Sequence, residues 1–390
     1  MKNRDPLHPR EHGSFVAGAL LAFAAVPVVA IGIWAAVAIA KDTPEPQANV
    51  FNLLHFVSVR EKPQVVKGVY IASLTAGSAE RRGEIFDMID RTELNAVVID
   101  IKTADGAIAY DTGVGIARDA GLVTPRPYDI SEILSDARRR DIWTIARFPV
   151  FEDPRLVAAR PDMALKTKGG GFWVTRRGTA WLDPTNREVW QYAADLANDA
   201  LGRGFDEVQF DYIRFPSDGD LSDMVFADPG INDGTKPKHV VMAEFYAYLR
   251  SEVGEDAVLS ADLFGLTMDA SASETNDLRI GQRMRDAHPQ FSVISPMVYP
   301  SHYPPFYDGI QRPAAVPGEI IRATFDSSKG FFGEDFGKIR PWLQDFNLGA
   351  IYTPEMVRAQ IDAAESFGVE GWLLWDPRNT YTEAALKPAQ

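Results

Sequence analysis

Cysteine is absent from the 390 residues. Disulfides and thiolate metal sites are therefore excluded, and a cysteine-free chain suits an oxidising envelope. Histidine is scarce: there are six, and those beyond residue 50 (His55, His239, His288 and His302) stand far apart in sequence. No metal and no other cofactor is expected. The folded region also lacks a Lys/Arg cluster, showing only scattered pairs such as Arg176-Arg177, and the formal net charge is -14. Phosphate binding needs a basic stripe, so nucleic acid is not expected as a partner. The turn after the first apolar run, Ser73-Leu74-Thr75-Ala76-Gly77, lacks the Gly-x-Gly-x-x-Gly of a dinucleotide site.

Charge is missing altogether from Ser14 to Ala40, SFVAGALLAFAAVPVVAIGIWAAVAIA. About 20 apolar residues span a bilayer core, and a signal-peptide core runs to about 15. Lys2, Arg4 and Arg10 precede the stretch; Lys41 and an acidic, proline-containing run follow it. The positive-inside rule keeps residues 1–13 cytoplasmic and sends the rest across. Residues 14–40 thus read as a single-pass signal anchor, with cleavage after Ala38-Ile39-Ala40 as the other reading. KDTPEPQ opens a linker assigned to residues 41–65. The expected localisation is the cell membrane, with the remainder of the chain outside the cytoplasm.

From residue 66 onward, apolar runs of strand length alternate with amphipathic stretches. The strands expected are Val66–Ile71, Ala96–Lys102, Trp143–Phe148, Glu207–Ile213, Val258–Phe264, Ser292–Tyr299, Ile339–Gln344 and Gly371–Trp375. Helical stretches include Ala79–Arg91, Ile130–Arg140, Glu188–Gly202, His239–Val253 and Pro354–Phe367; the unit between Ser292 and Gly337 is the irregular one. Strand–helix alternation means parallel strands with helical crossovers, and eight such units predict an α/β fold, a (β/α)8 TIM barrel over residues 66–390. Met163–Trp181, with Gly169-Gly170-Gly171, reads as a β-hairpin inserted after strand three. Asp183-Pro184 reads as the cap and first residue of the next helix. The acidic loop Ser217–Asp233 lacks the ligand order of an EF-hand and reads as solvated.

Active sites of such barrels lie at the C-terminal ends of the strands. Three runs there carry a carboxylate: Asp100, Asp211 and Asp262. An ionised carboxylate in an apolar strand is costly unless paired, and three at matching heights point to a site. By strand alternation Asp100 shares a face with Lys102, Asp211 with Gln209, and Asp262 with Ser260. Asp100 and Lys102 can also simply neutralise each other. Arg214, Tyr299, His302, Gln344, Trp375 and Asp376 complete the candidate contacts. Aromatics near these ends (Trp173, Trp181, Phe215, Tyr299, Tyr303, Trp342, Trp375) offer stacking faces for sugar rings.

Taken together, WLDPTNREVW and GFDEVQFDYIRFP, with VKGVYIAS, NAVVIDIK, LSADLFG, PMVYPSHY, PWLQDF and GWLLWDP, resemble the putative glycosyl hydrolase domain family. That family was long catalogued as a domain of unknown function and is related in fold to the α-amylase-type barrels. The resemblance runs from about residue 66 to 380. It implies a TIM barrel and hydrolysis of a glycosidic bond, with a polysaccharide or oligosaccharide as substrate. By position Asp211 matches the nucleophile of related barrels, and Asp262 matches the acid/base, where many relatives carry Glu. Neighbouring strands lie about 4.8 Å apart, which suits the 5–5.5 Å carboxyl separation of a retaining enzyme. A catalytically silent, membrane-tethered sugar-binding barrel is the alternative; a metal-dependent deacetylase is a third, disfavoured by the histidine spacing.

Overall fold

The computed structural model describes residues 60–389. The expected anchor, Ser14–Ala40, lies outside them; among the described residues no helix is long and apolar enough to cross a membrane.

Eight parallel strands close into a barrel: β1 (Val66–Ile71), β2 (Ala96–Asp100), β3 (Trp143–Pro149), β4 (Glu207–Asp211), β5 (Leu259–Phe264), β6 (Val293–Met297), β7 (Trp342–Gln344) and β8 (Gly371–Trp375). Each pairs with its sequence neighbours, and β8 pairs with β1 to close the ring. Closure brings the two chains close: a Cβ at Gly371 would meet the Val66 carbonyl oxygen at 1.9 Å. All eight expected strands are present, but several end early. β2 stops at Asp100 rather than Lys102. β4 stops at Asp211 because Tyr212 takes a left-handed backbone, φ 53°.

Between the strands lie α1 (Ala79–Arg91), α2 (Ile130–Arg139), α3 (Arg187–Arg203), α4 (Lys238–Val253), α5 (Pro317–Phe332) and α6 (Pro354–Glu365). Their ends follow local capping chemistry. Ser78, Asp129, Asn186 and Thr353 cap α1, α2, α3 and α6 with their side chains, and Gly204 at φ 104° ends α3. The cap of α3 is thus Asn186, not Asp183. Asp183 is buried one turn earlier, accepting hydrogen bonds from Thr185 and from the Ala227 amide. The irregular crossover is the one between β5 and β6, where Met284–Ala287 is a single turn; β6 to β7 is bridged by the 16-residue α5.

Two apolar clusters follow from strand alternation. Outward side chains such as Val97, Ile99, Phe148 and Phe210 pack against the helices. Inward ones such as Val98, Trp143, Ile145, Trp342 and Leu373 fill the barrel. The insertion after β3 folds back through two tight turns, Thr167–Gly171 and Thr175–Thr179. Lys166–Thr167 also pairs antiparallel with Met224–Val225 of the β4 loop, so the insertion is tied to that loop rather than standing free.

Two residues ahead of β1 are tied to the barrel. Arg60 donates to the Ile142 carbonyl and to Asp206, and Lys62 pairs with Glu370. These contacts sit at the N-terminal floor. There Arg340 and Glu207, both fully buried, form an ion pair, and the Trp143 indole donates to Glu207 at 3.1 Å.

Candidate active site

At the opposite end of the barrel, four strand ends converge on one guanidinium. Arg147, on β3, reaches the carboxylates of Asp100 on β2 and Asp211 on β4, one nitrogen to each, and its Nε lies 3.6 Å from Asp262 Oδ2 on β5. The strand register explains the convergence. Asp100 pairs across to Arg147, Pro149 to Asp211, and Phe210 to Ala261, so all four side chains project inward near one level.

Each carboxyl is held differently. Asp100 accepts from the Tyr70 phenol at 2.6 Å. Asp211 Oδ1 accepts from its neighbour's amide, Tyr212 N, at 2.6 Å, while Oδ2 faces Arg147. The strained backbone at Tyr212 therefore serves to aim an N–H at Asp211, and strain of this kind gathers at functional sites. Asp262 Oδ1 accepts from the Trp342 indole at 2.7 Å; Oδ2 is closed off from solvent and has no hydrogen-bond partner. A stack backs the centre: Trp375 lies on Tyr70 with ring centroids 3.9 Å apart and meets Trp342 edge-on at 5.5 Å. Arg147 sits 5.0 Å from the Trp375 ring.

The charges divide accordingly. Burial pushes the Asp262 carboxyl well above the ordinary range, and the charge of Asp211 adds to that. Burial also raises Asp100, against the opposing pull of Arg147. Burial by itself would lower the Arg147 pKa, but Asp100 and Asp211 more than offset it and keep the guanidinium charged. A fixed cation beside closely set carboxyls, one of them pushed toward its neutral form, is an arrangement that lets neighbouring carboxyls take different roles. Among the described residues no group of three or more His, Asp or Glu forms a metal site.

The other sequence candidates scatter. Gln209 is fully buried below Asp211 and donates to Ser295 at 3.0 Å. Tyr299 is buried in the inner cluster, with Asp262 and Asp211 acting on its phenol, and His302 stands exposed beside it, ring centroids 5.5 Å apart. Arg214 lies over Trp181, Tyr212 and Phe264 and donates to the Phe215 carbonyl. Trp375 is partly exposed. Three candidates do not reach the centre. Lys102 lies beyond the end of β2, fully buried on Asp153 at 2.9 Å and on the Pro149 carbonyl, so it does not neutralise Asp100. Gln344 uses both ends of its amide on loop backbone, Ser301 N and Phe346 O. Asp376 is buried and staples the turn at Arg378. The rim aromatics are mostly interior as well: Trp173, Trp181, Phe215 and Trp342 expose 1% or less.

Sequence reasoning missed Arg147 and Tyr70. The signal for Arg147 was there: a lone arginine inside WTIARF needs buried carboxylates as partners, and three unpaired ones had already been found.

This geometry meets the comparisons with known proteins. The family described as "Putative glycosyl hydrolase domain" matches residues 68–381. The chain belongs to that family. None of the curated proteins matches it. Among solved structures, the PgaB (BpsB) glycoside hydrolase domain from Bordetella bronchiseptica is similar, with TM-score 0.57 and 14% identity over 80% of this chain and 94% of that one. TtGalA, an alpha-galactosidase from Thermus thermophilus solved with stachyose, gives TM-score 0.51 and 16% identity over 87% and 68%. A hypothetical protein from Ruminiclostridium thermocellum is 38% identical, covering 50% of this chain and 96% of that one, with TM-score 0.46. The first two likenesses establish the fold as one shared with glycoside hydrolases.

Proposed function

We propose that the barrel hydrolyses a glycosidic bond in a cell-envelope or extracellular polysaccharide, with Asp211 as nucleophile. The observation that carries this reading is the Arg147 centre, where Asp211 and Asp100 share one cation while Asp262 beside them is held neutral. Asp211 attacks the anomeric carbon, forming a covalent glycosyl-enzyme that water later hydrolyses, so the product keeps its configuration. Arg147 and the Tyr212 amide hold the attacking carboxylate in place. The family resemblance implies the acid/base role for Asp262. With one oxygen on Trp342 and the other closed off, Asp262 fits better as a neutral neighbour of the nucleophile. Trp375 supplies the partly open aromatic face for a sugar ring.

Screening the full chain against envelope polysaccharides, with product analysis, tests the reading. Asp211→Asn keeps the shape and should abolish turnover while melting within a few degrees of wild type; substantial activity in that variant on a confirmed substrate overturns the nucleophile assignment. One observation favours the silent sugar-binding alternative: both oxygens of Asp211 are already engaged. Saturable binding of an oligosaccharide that is never cleaved, under any condition from acid to neutral pH, would favour that alternative.

The uncharged stretch Ser14–Ala40 and the charges flanking it support a single-pass anchor that places the barrel outside the cytoplasm. A reporter active only in the cytoplasm, fused after Gln390, should be silent; strong signal from it refutes the topology.

A further inference from the structure

Hydrolysis at Asp211 needs a second carboxyl that can touch the departing oxygen. Asp100 is spent on Arg147 and Tyr70, and the free oxygen of Asp262 is closed. A further carboxyl, that of Glu152, lies within electrostatic reach of Asp211. Glu152 follows β3 by three residues, where the chain runs on beside the end of β4: Val150 N donates to the Asp211 carbonyl at 2.8 Å and Phe151 N to that of Tyr212 at 3.4 Å. Its backbone also pairs antiparallel with Trp181. The residues on either side are fully buried facing the helices and loops, Phe151 against Phe245 of α4 and Asp153 against Lys102. In extended chain the residue between two such neighbours points the other way, which for Glu152 is the barrel mouth. The charges that act on it are those of Arg214, Asp211, Asp218 and, more weakly, Lys102. Glu152 is only partly exposed, yet its side chain makes no hydrogen bond or ion pair among the described residues.

We infer that Glu152 is the proton donor and acceptor of this site, a role that rests on the glycoside-hydrolysis reading above. In the first step the Glu152 carboxylic acid gives its proton to the glycosidic oxygen. The bond from the anomeric carbon to that oxygen breaks, its electron pair leaving with the oxygen, as Asp211 bonds to the carbon. In the second step the Glu152 carboxylate takes a proton from water as the water oxygen attacks the same carbon, and the ester electron pair returns to Asp211. Burial and the charge of Asp211 both hold the Glu152 carboxyl above its ordinary value, against Arg214, which favours the protonated form that the first step needs.

The test compares leaving groups in the full chain. A panel of 2,4-dinitrophenyl glycosides, which leave without a proton, identifies the sugar, and the matching methyl glycoside needs the acid. Glu152→Gln should lose about 100- to 10,000-fold on the methyl glycoside. On the dinitrophenyl glycoside it should show a burst, then slow turnover that azide accelerates with formation of the glycosyl azide. Glu152→Asp, which retains a carboxyl, should keep the basic limb of the pH profile that Glu152→Gln loses. Asp262→Asn should depress both substrates alike. If Glu152→Gln cleaves the methyl glycoside within about threefold of wild type, or if Glu152→Asp and Glu152→Gln share one pH profile, Glu152 is not the donor while the hydrolase reading stands. If wild type cleaves no member of the panel, the hydrolase reading falls, and the role of Glu152 falls with it.

Discussion

Replacing Arg147 with methionine probes the centre most directly. The guanidinium is buried, bonded to Asp100 and Asp211 and near Asp262. Methionine fills similar volume but removes the cation that, among the described residues, those three carboxyls share. Breaking a buried ion pair by deleting one partner costs about 3–5 kcal/mol, because the partner charge is left uncompensated. Unfolding entropy of about 2.1 cal/mol/K per residue makes each kcal/mol worth roughly 1.4 °C for a unit spanning Arg60–Gln390. The expected fall in apparent Tm at pH 7.5 is therefore about 4–7 °C. The deficit should be pH-dependent, with a definite sign. Without Arg147, burial holds the folded-state pKa of Asp100 above its unfolded value, with no cation left to oppose it. A carboxyl raised in this way stabilises the fold below its unfolded pKa and loses that contribution as pH rises through the folded pKa. Melting at pH 4.5 should thus recover much of the lost stability. A thermal scan of wild type and Arg147→Met at both pH values decides the matter. A deficit below about 1 kcal/mol, or one equal at both pH values, refutes the claim that Arg147 is the charge on which these carboxylates depend.

Three further outcomes follow from other contacts. Trp375→Ala should abolish oligosaccharide binding and lower Tm only moderately, since the ring is partly exposed though stacked on Tyr70; calorimetric titration against thermal melting separates the two, and unchanged affinity with a steep loss of Tm makes Trp375 a packing residue alone. Asp345, which accepts two hydrogen bonds from Thr382, has a carboxyl pushed up to about 6 by burial, with Asp376 adding to the shift. Its raised pKa means stability that is present near pH 4 and lost as pH rises through about 6, a span on the order of 3 kcal/mol. Asp345→Asn should flatten that part of the Tm–pH curve, and an unchanged curve would sink the assignment. A chain starting at Val66 loses the Arg60 and Lys62 floor contacts and should melt several degrees below one starting at Arg60; equal melting would mean these contacts contribute nothing.

The barrel was legible because its signals are local. Strand-length apolar runs recur eight times with amphipathic helices between most of them, and caps such as Asn186 and Thr353 stand next to the helices they start. The three inward aspartates were legible for a related reason, since a carboxylate inside an apolar run violates the pattern of its own strand. What could not be read was pairing between strands. Asp100 sits two residues from Lys102, and proximity in sequence suggested that they neutralise each other. Strand register instead gives Asp100 to Arg147 and leaves Lys102 to Asp153. Glu152 was invisible for the same reason: nothing in VFEDP marks its middle residue until Phe151 and Asp153 are seen buried on the other side.

The two ends of the barrel show why one ionic network reads as structural and the other as a site. At the floor, Arg340 faces Glu207 and Glu370, and Lys62 pairs with Glu370, so two cations meet two carboxylates. Such a set closes on itself and has no charge left over for a ligand. At the mouth, one guanidinium meets three carboxyls, and among the described residues no second cation bonds to any of them. A buried excess of negative charge is unstable unless a proton or a ligand relieves it. The proton settles on Asp262, the carboxyl farthest from Arg147 and the most deeply enclosed. That sets Asp211, on the guanidinium, beside a carboxyl pushed toward its neutral form, at the end of the barrel where active sites of this fold lie. A fold gains nothing in stability from this imbalance, since an apolar set of the same volume would pack without the desolvation cost. The imbalance is what the proposed nucleophile role of Asp211 would require.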